Sequence, residues 1–139
     1  MRRFAVFFPF LILVSAVLRT PVCTALTKAD FEGRWSSGDN EITITNVTEK
    51  SFEFSFEGFY ITPAGVPHMG DLEGTALFTE ESKAIFDYED EDGDKTVKFE
   101  FVINEDELSV SVTEGDETGL FGAGVYMNGK YTKFSAGAP

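Results

Sequence analysis

Between Ala84 and Val112 apolar residues fall on every second position: Ala84, Phe86 and Tyr88, then Val97, Phe99 and Phe101, then Leu108, Val110 and Val112. A period of two puts one face of an extended strand in a core and the other in water, and no segment beyond the N-terminus sustains a helical 3.6 period. The chain is therefore expected to be all-β. If Asp92-Gly93 forms a two-residue type I′ turn, Glu91 pairs with Asp94, and counting back sets Tyr88 opposite Val97, Phe86 opposite Phe99 and Ala84 opposite Phe101. The other face then joins Asp87 to Lys98 and Asp90 to Lys95, pairs that each add about 0.2 to 1 kcal/mol. A slip of one residue would destroy both patterns at once.

The same count continues through Asn104-Glu105-Asp106-Glu107, which sets Phe101 opposite Val110 and Phe99 opposite Val112. Upstream, Ile42 and Ile44 share a face with Phe52, Phe54 and Phe56 if the loop between them has an odd number of residues. Asn128-Gly129 is a second type I′ signal, placing Met127 opposite Lys130 and Tyr126 opposite Tyr131. Strands are expected at 31–36, 40–46, 50–61, 71–79, 83–91, 94–103, 107–114, 122–127 and 130–134. Short turns between successive strands make an antiparallel up-and-down meander of eight to nine strands, closing as a barrel or folding as a β-sandwich. The barrel is favoured because closure removes edges that this chain has few Pro or Lys to guard. Seven inward aromatics, Phe52, Phe54, Phe56, Phe86, Tyr88, Phe99 and Phe101, would fill it, with Gly74, Ala76 and Ala84 as small partners.

Residues 1–25 carry Arg2 and Arg3, an apolar run from Phe4 to Leu18, and small residues near Ala25. This is the pattern of a secretory signal peptide, and the run is shorter than the roughly 20 residues a spanning helix needs. The alternative is an uncleaved anchor. Residues 26–134 then form one domain and 135–139 a tail. Cys23, the single cysteine, falls in the signal segment, so the domain is expected to stand on packing without a disulfide. Of 11 basic and 24 acidic residues, removing Arg2, Arg3 and Arg19 leaves eight basic. Such a surface repels phosphate backbones and anionic lipid and attracts basic partners. Neither nucleic acid nor, after cleavage, a membrane is an expected partner.

The segment Asp30-Phe31-Glu32-Gly33-Arg34-Trp35 resembles the Gly-x-Trp first strand of lipocalins and other calycins, and residues 33–44 resemble the first hairpin of avidins. The resemblance implies a Trp that plugs or lines one barrel end, and it reaches Gly33 and Trp35 alone. The lipocalin threonine-aspartate-tyrosine segment is missing, and a single Trp cannot build the avidin biotin cage. Nearly the whole domain is similar to small secreted bacterial β-barrel domains of uncharacterised function. The similarity rests on Phe31 to Trp35, on Gly70-Asp71-Leu72-Glu73-Gly74-Thr75-Ala76, and on residues 122–133. Those motifs are glycines and core residues, so the resemblance implies a calycin-like fold and no chemistry.

Six acids fill the eight positions from Asp87 to Asp94, yet an EF-hand loop with Gly93 in its sixth place would need ligands at Tyr88 and Phe99. What remains is a weak surface calcium site at Asp90, Asp92 and Asp94, or simply a charged hairpin tip. The loop 62–70, with two prolines, Val66, His68 and Met69, is the longest expected break between strands and a natural recognition element. His68 has Asp71 and Glu73 nearby for metal or acid-base chemistry, or is an ordinary loop residue. Glycines in 119–126 precede a strand rather than a helix, which suits a bulge more than a phosphate cradle, with Phe121 exposed or capping the core. Asn46-Val47-Thr48 satisfies a glycosylation sequon in an expected turn.

No triad, carboxylate pair or metal cluster can be assigned, and neither catalysis nor a cofactor is expected. The leading expectation is a secreted or periplasmic, non-enzymatic binding module, an acidic inhibitor of a basic protein partner, working through loops at one barrel end. Its alternative is a small-ligand barrel. Candidate contacts for either are Trp35, Tyr60, His68, Met69, Phe121 and Tyr126.

Overall fold

A computed structural model describes residues 26–134; residues 1–25, expected to be a signal peptide, and residues 135–139, expected to be a tail, lie outside the described residues. A 3-10 helix, Lys28–Phe31, leads into eight strands: β1 (Gly33–Ser37), β2 (Asn40–Thr45), β3 (Ser51–Ile61), β4 (Pro67–Glu80), β5 (Lys83–Glu89), β6 (Thr96–Asn104), β7 (Glu107–Glu114) and β8 (Gly129–Lys133). Each pairs antiparallel with its sequence neighbours, and β8 returns to β1, closing a barrel.

The registers counted from the alternation hold. Phe86 faces Phe99, Tyr88 faces Val97, Asp87 faces Lys98, and Phe101 faces Val110. Ile42 and Ile44 face Phe56 and Phe54. One turn differs: Asp92 and Gly93 do not form the two-residue hinge. The ladder ends at Glu89↔Thr96, and Glu91 to Asp94 form a four-residue loop. Its Gly93 N–H donates to the Asp90 carbonyl (3.0 Å), Asp90 N–H donates to Lys95 O (3.0 Å), and Asp90 Oδ1 accepts from Lys95 N–H (3.1 Å). Only Gly93 takes a positive φ, 71°, whereas type I′ needs two. Two and four are both even, so every inward side chain keeps its face.

Two boundaries are corrected at the N-terminal side. Phe31 belongs to the 3-10 helix rather than to the first strand. The break 62–70 shrinks to 62–66, because Thr62 N–H bonds Val66 O (3.0 Å) and Gly65 adopts φ 80°. Pro67 then opens β4, a strand position where a missing N–H is tolerated.

The larger correction concerns the C-terminal side. Residues 122–127 are not a strand, Asn128-Gly129 is not a hairpin turn, and neither Met127–Lys130 nor Tyr126–Tyr131 is paired. Instead β8 pairs with β7, Leu108 opposite Tyr131. The backbone of 127 and 128 is claimed by a buried carboxylate: Glu117 accepts from Met127 N–H (3.0 Å) and Asn128 N–H (3.3 Å) as well as from the Asn128 amide. The main-chain donors of Met127 and Asn128 are thus taken by Glu117 rather than by a hairpin ladder.

Aromatic rings fill the barrel. Phe52, Phe54 and Phe101 meet at centroid distances of 5.0 to 5.5 Å, Phe54 meets Phe86 at 4.9 Å, and Phe31 stacks on Phe52 at 5.2 Å. These are favourable edge and offset geometries. The 3-10 helix closes one end, where Trp35 is fully buried and its indole N–H donates to the Phe31 carbonyl at 2.9 Å. The β7–β8 connection, 115–128, closes the other with Phe121, Val125 and Met127 packed on the core.

Candidate functional site

An up-and-down barrel places the β1–β2, β3–β4, β5–β6 and β7–β8 connections together at one end. Five of the six candidate contact residues gather there. Tyr60 and His68 face each other across β3–β4, with Met69 beside them. Phe121 lies 5.0 Å from Phe56, as a core cap. Tyr126 is held through its carbonyl, which accepts from Asn40 Nδ2 at 3.1 Å. Trp35 stands apart, buried beneath the 3-10 helix at the far end, with Lys133 Nζ 5.4 Å above its ring. The Trp thus plugs one end and presents no surface to a ligand.

Small residues let the 115–128 connection sit close on this end. A Cβ on Gly58 would lie 2.3 Å from Val125 Cγ1, one on Gly70 would lie 2.5 Å from Phe121 Cβ, and one on Gly124, at φ 81°, would lie 2.5 Å from the Tyr60 ring. Polar clasps complete the closure. Asn40 Oδ1 accepts from Phe59 N–H (3.2 Å), and the buried Tyr131 hydroxyl donates to Met127 O (2.7 Å). Burial first, and the nearby Glu117 carboxylate second, push the Tyr131 phenol well above the ordinary tyrosine range.

Outside this closed end, a surface cleft of about 420 Å³ runs between the β1–β2 turn and the β3–β4 sheet. Phe59, Met69, Gly58 and Gly70 form its apolar floor, and Asp39, Glu57 and Asp71 its acidic rim. Met69 is 72% exposed. Of these residues the sequence marked Met69 as a contact and Asp71 as a neighbour of His68, whereas Glu57 and Phe59 stand in ordinary alternation and Asp39 in a turn, and they become neighbours only through register. Glu57 pairs with Asp71 across β3–β4. Like charges on paired positions disfavour the isolated fold.

At the hairpin tip, Asp90 is occupied with the backbone of its own loop. No group of three His, Cys, Asp or Glu side chains gathers to hold a metal among the described residues. Asn46 of the sequon lies in the β2–β3 loop at φ 52° and donates to Glu53. No helix among the described residues is long and apolar enough to cross a membrane. No protein family, curated protein or solved structure matches the chain.

Proposed function

We propose that this chain is a secreted or periplasmic, non-enzymatic binding module that docks a basic protein partner, as an inhibitor of a cationic lytic enzyme would. The observation that carries the reading is the cleft in which Asp39, Glu57 and Asp71 rim Phe59 and Met69. Lysine and arginine bury their methylene stems on apolar surface while their heads stay polar, and this cleft offers a floor for the stem and carboxylates for the head. The excess of 24 acids over 11 bases adds long-range attraction that speeds encounter with a cationic surface.

What supports an outer surface over an interior ligand site is the packing of both ends. Phe31 and Trp35 fill one, and Phe121, Val125 and Met127 fill the other. Calorimetric titration with a panel of cationic lytic enzymes at low and high salt tests the proposal. Binding that weakens with salt and is lost in a D39N/E57Q/D71N variant is expected. Salt-independent binding, or binding the variant retains, would overturn it.

A further inference from the structure

We propose that the bare flank of β4 between Asp71 and Ala76 takes up an extended basic segment of the partner as an added strand. This rests on the acidic-surface reading above and supplies its mode of attachment.

The longest strand, β4, parts company with β5 here. β3 pairs with β4 along the whole length of β3, from Ser51↔Leu77 to Ile61↔Pro67, but the ladder of β4 with β5 consists of Glu80↔Lys83, Phe78↔Ala84 and Leu77↔Ile85. Beyond Ile85, β5 pairs only with β6. Phe78 N–H donates to Lys50 O on the β3 side, so even-numbered residues of β4 direct their backbone groups to β3. The odd-numbered Asp71, Glu73 and Thr75 therefore aim N–H and C=O at the open flank. Among the described residues, no loop or side chain hydrogen-bonds the backbone of 71–76. Toward the closed end the flank is covered, since a Cβ on Gly122 would lie 2.9 Å from Met69 O.

Exposed sheet edges recruit strands unless they are guarded. The chemistry around this one selects the recruit. Asp71 and Glu73 on β4 and Asp87 and Glu89 on β5 flank the opening, and among the described residues only Asp87 has an ammonium group within 4 Å, Lys98 at 3.9 Å. A second copy of the same edge would set acid against acid. An incoming strand would present alternate side chains outward to Asp71 and Glu73, and the others inward to the half-buried Leu72, Phe86 and Tyr88. The occupant is thus an extended segment in which Lys or Arg alternates with apolar residues, held by main-chain bonds and selected by side chains.

An eight-residue peptide alternating Lys and Val, and the same peptide N-methylated at the amides that would face β4, test this on the native protein by calorimetry and amide exchange. The unmodified peptide is expected to slow exchange at Asp71, Glu73 and Thr75, and N-methylation or a D71K/E73K variant to weaken binding about tenfold or more, one 1.4 kcal/mol step. Equal binding by the N-methylated peptide would overturn strand addition while leaving the cleft reading intact. Failure of both peptides alongside binding of a cationic enzyme would do the same, and failure of every cation would remove both readings. Protection of the same amides that grows with protein concentration alone would assign the flank to a second copy and overturn the basic occupant.

Discussion

The ring of Phe86 rests on Gly74, so close that a Cβ at residue 74 would lie 2.5 Å from Cε2. Where β4 and β5 diverge, this contact seals the core from the inside, and Phe54 buttresses the ring at 4.9 Å. Gly74→Ala is expected to cost about 1 to 3 kcal/mol by overpacking. Adding Phe86→Leu should recover part of that loss, giving a non-zero coupling in a urea double-mutant cycle. Strict additivity would mean that the ring simply swings away.

Glu117, 2% exposed, supplies acceptors to two main-chain donors of the 115–128 connection. Glu117→Ala would leave these N–H groups unsatisfied and should cost about 2 to 4 kcal/mol, with Glu117→Gln losing less because one acceptor oxygen survives. Denaturant midpoints report the energy. Exchange at the Met127 and Asn128 amides reports whether the connection lifts locally.

Tyr131 gives the barrel an alkaline limit. Its folded pKa is raised above the ordinary value of 10.0, so the folded state holds its proton where the unfolded chain has released it. The associated stability is present in full below pH 10 and is lost as pH climbs from there toward the folded pKa. Melting temperature should therefore fall above pH 10 in the native chain. In Tyr131→Phe, which also forfeits the Met127 bond at about 1 kcal/mol, that part of the slope should disappear.

Trp35, the only Trp in the chain, should emit at short wavelength and resist iodide until the protein unfolds, because it is fully buried. Trp35→Phe would strand the Phe31 carbonyl and is expected to cost about 1 to 3 kcal/mol beyond the lost packing. Titration with a bound partner should leave its emission unchanged. A quenching response to a ligand would place binding at the 3-10 helix end instead.

The alternation from Ala84 to Val112 made three strands and their register legible, because an inward set and an outward ion pair each demanded the same pairing. It did not reveal the turn at Asp90 to Lys95, since loops of two and four residues leave side-chain parity unchanged. Asn128-Gly129 misled for a different reason. Local turn propensity was overridden by Glu117, a residue eleven positions upstream whose burial nothing in its polar surroundings announces. His68 and Met69 were read as loop because Pro63 and Pro67 bracket them from one side, yet Pro67 merely starts a strand. The cleft was illegible for the same reason as most sites on sheets: Asp39, Glu57 and Asp71 sit far apart in sequence and meet through the β1–β2–β3–β4 registers.

The seam between β1 and β8 consists of Trp35↔Lys133 and Ser36↔Thr132, while every other ladder joins strands consecutive in sequence. Assembly can therefore proceed hairpin by hairpin, each step closing a short loop, with a single chain-spanning closure at the end. Lys133 comes to rest over the Trp35 ring only when that closure occurs. Refolding followed by Trp35 emission should accordingly lag behind refolding followed by far-ultraviolet circular dichroism, making the one indole a clock for the moment the cylinder shuts.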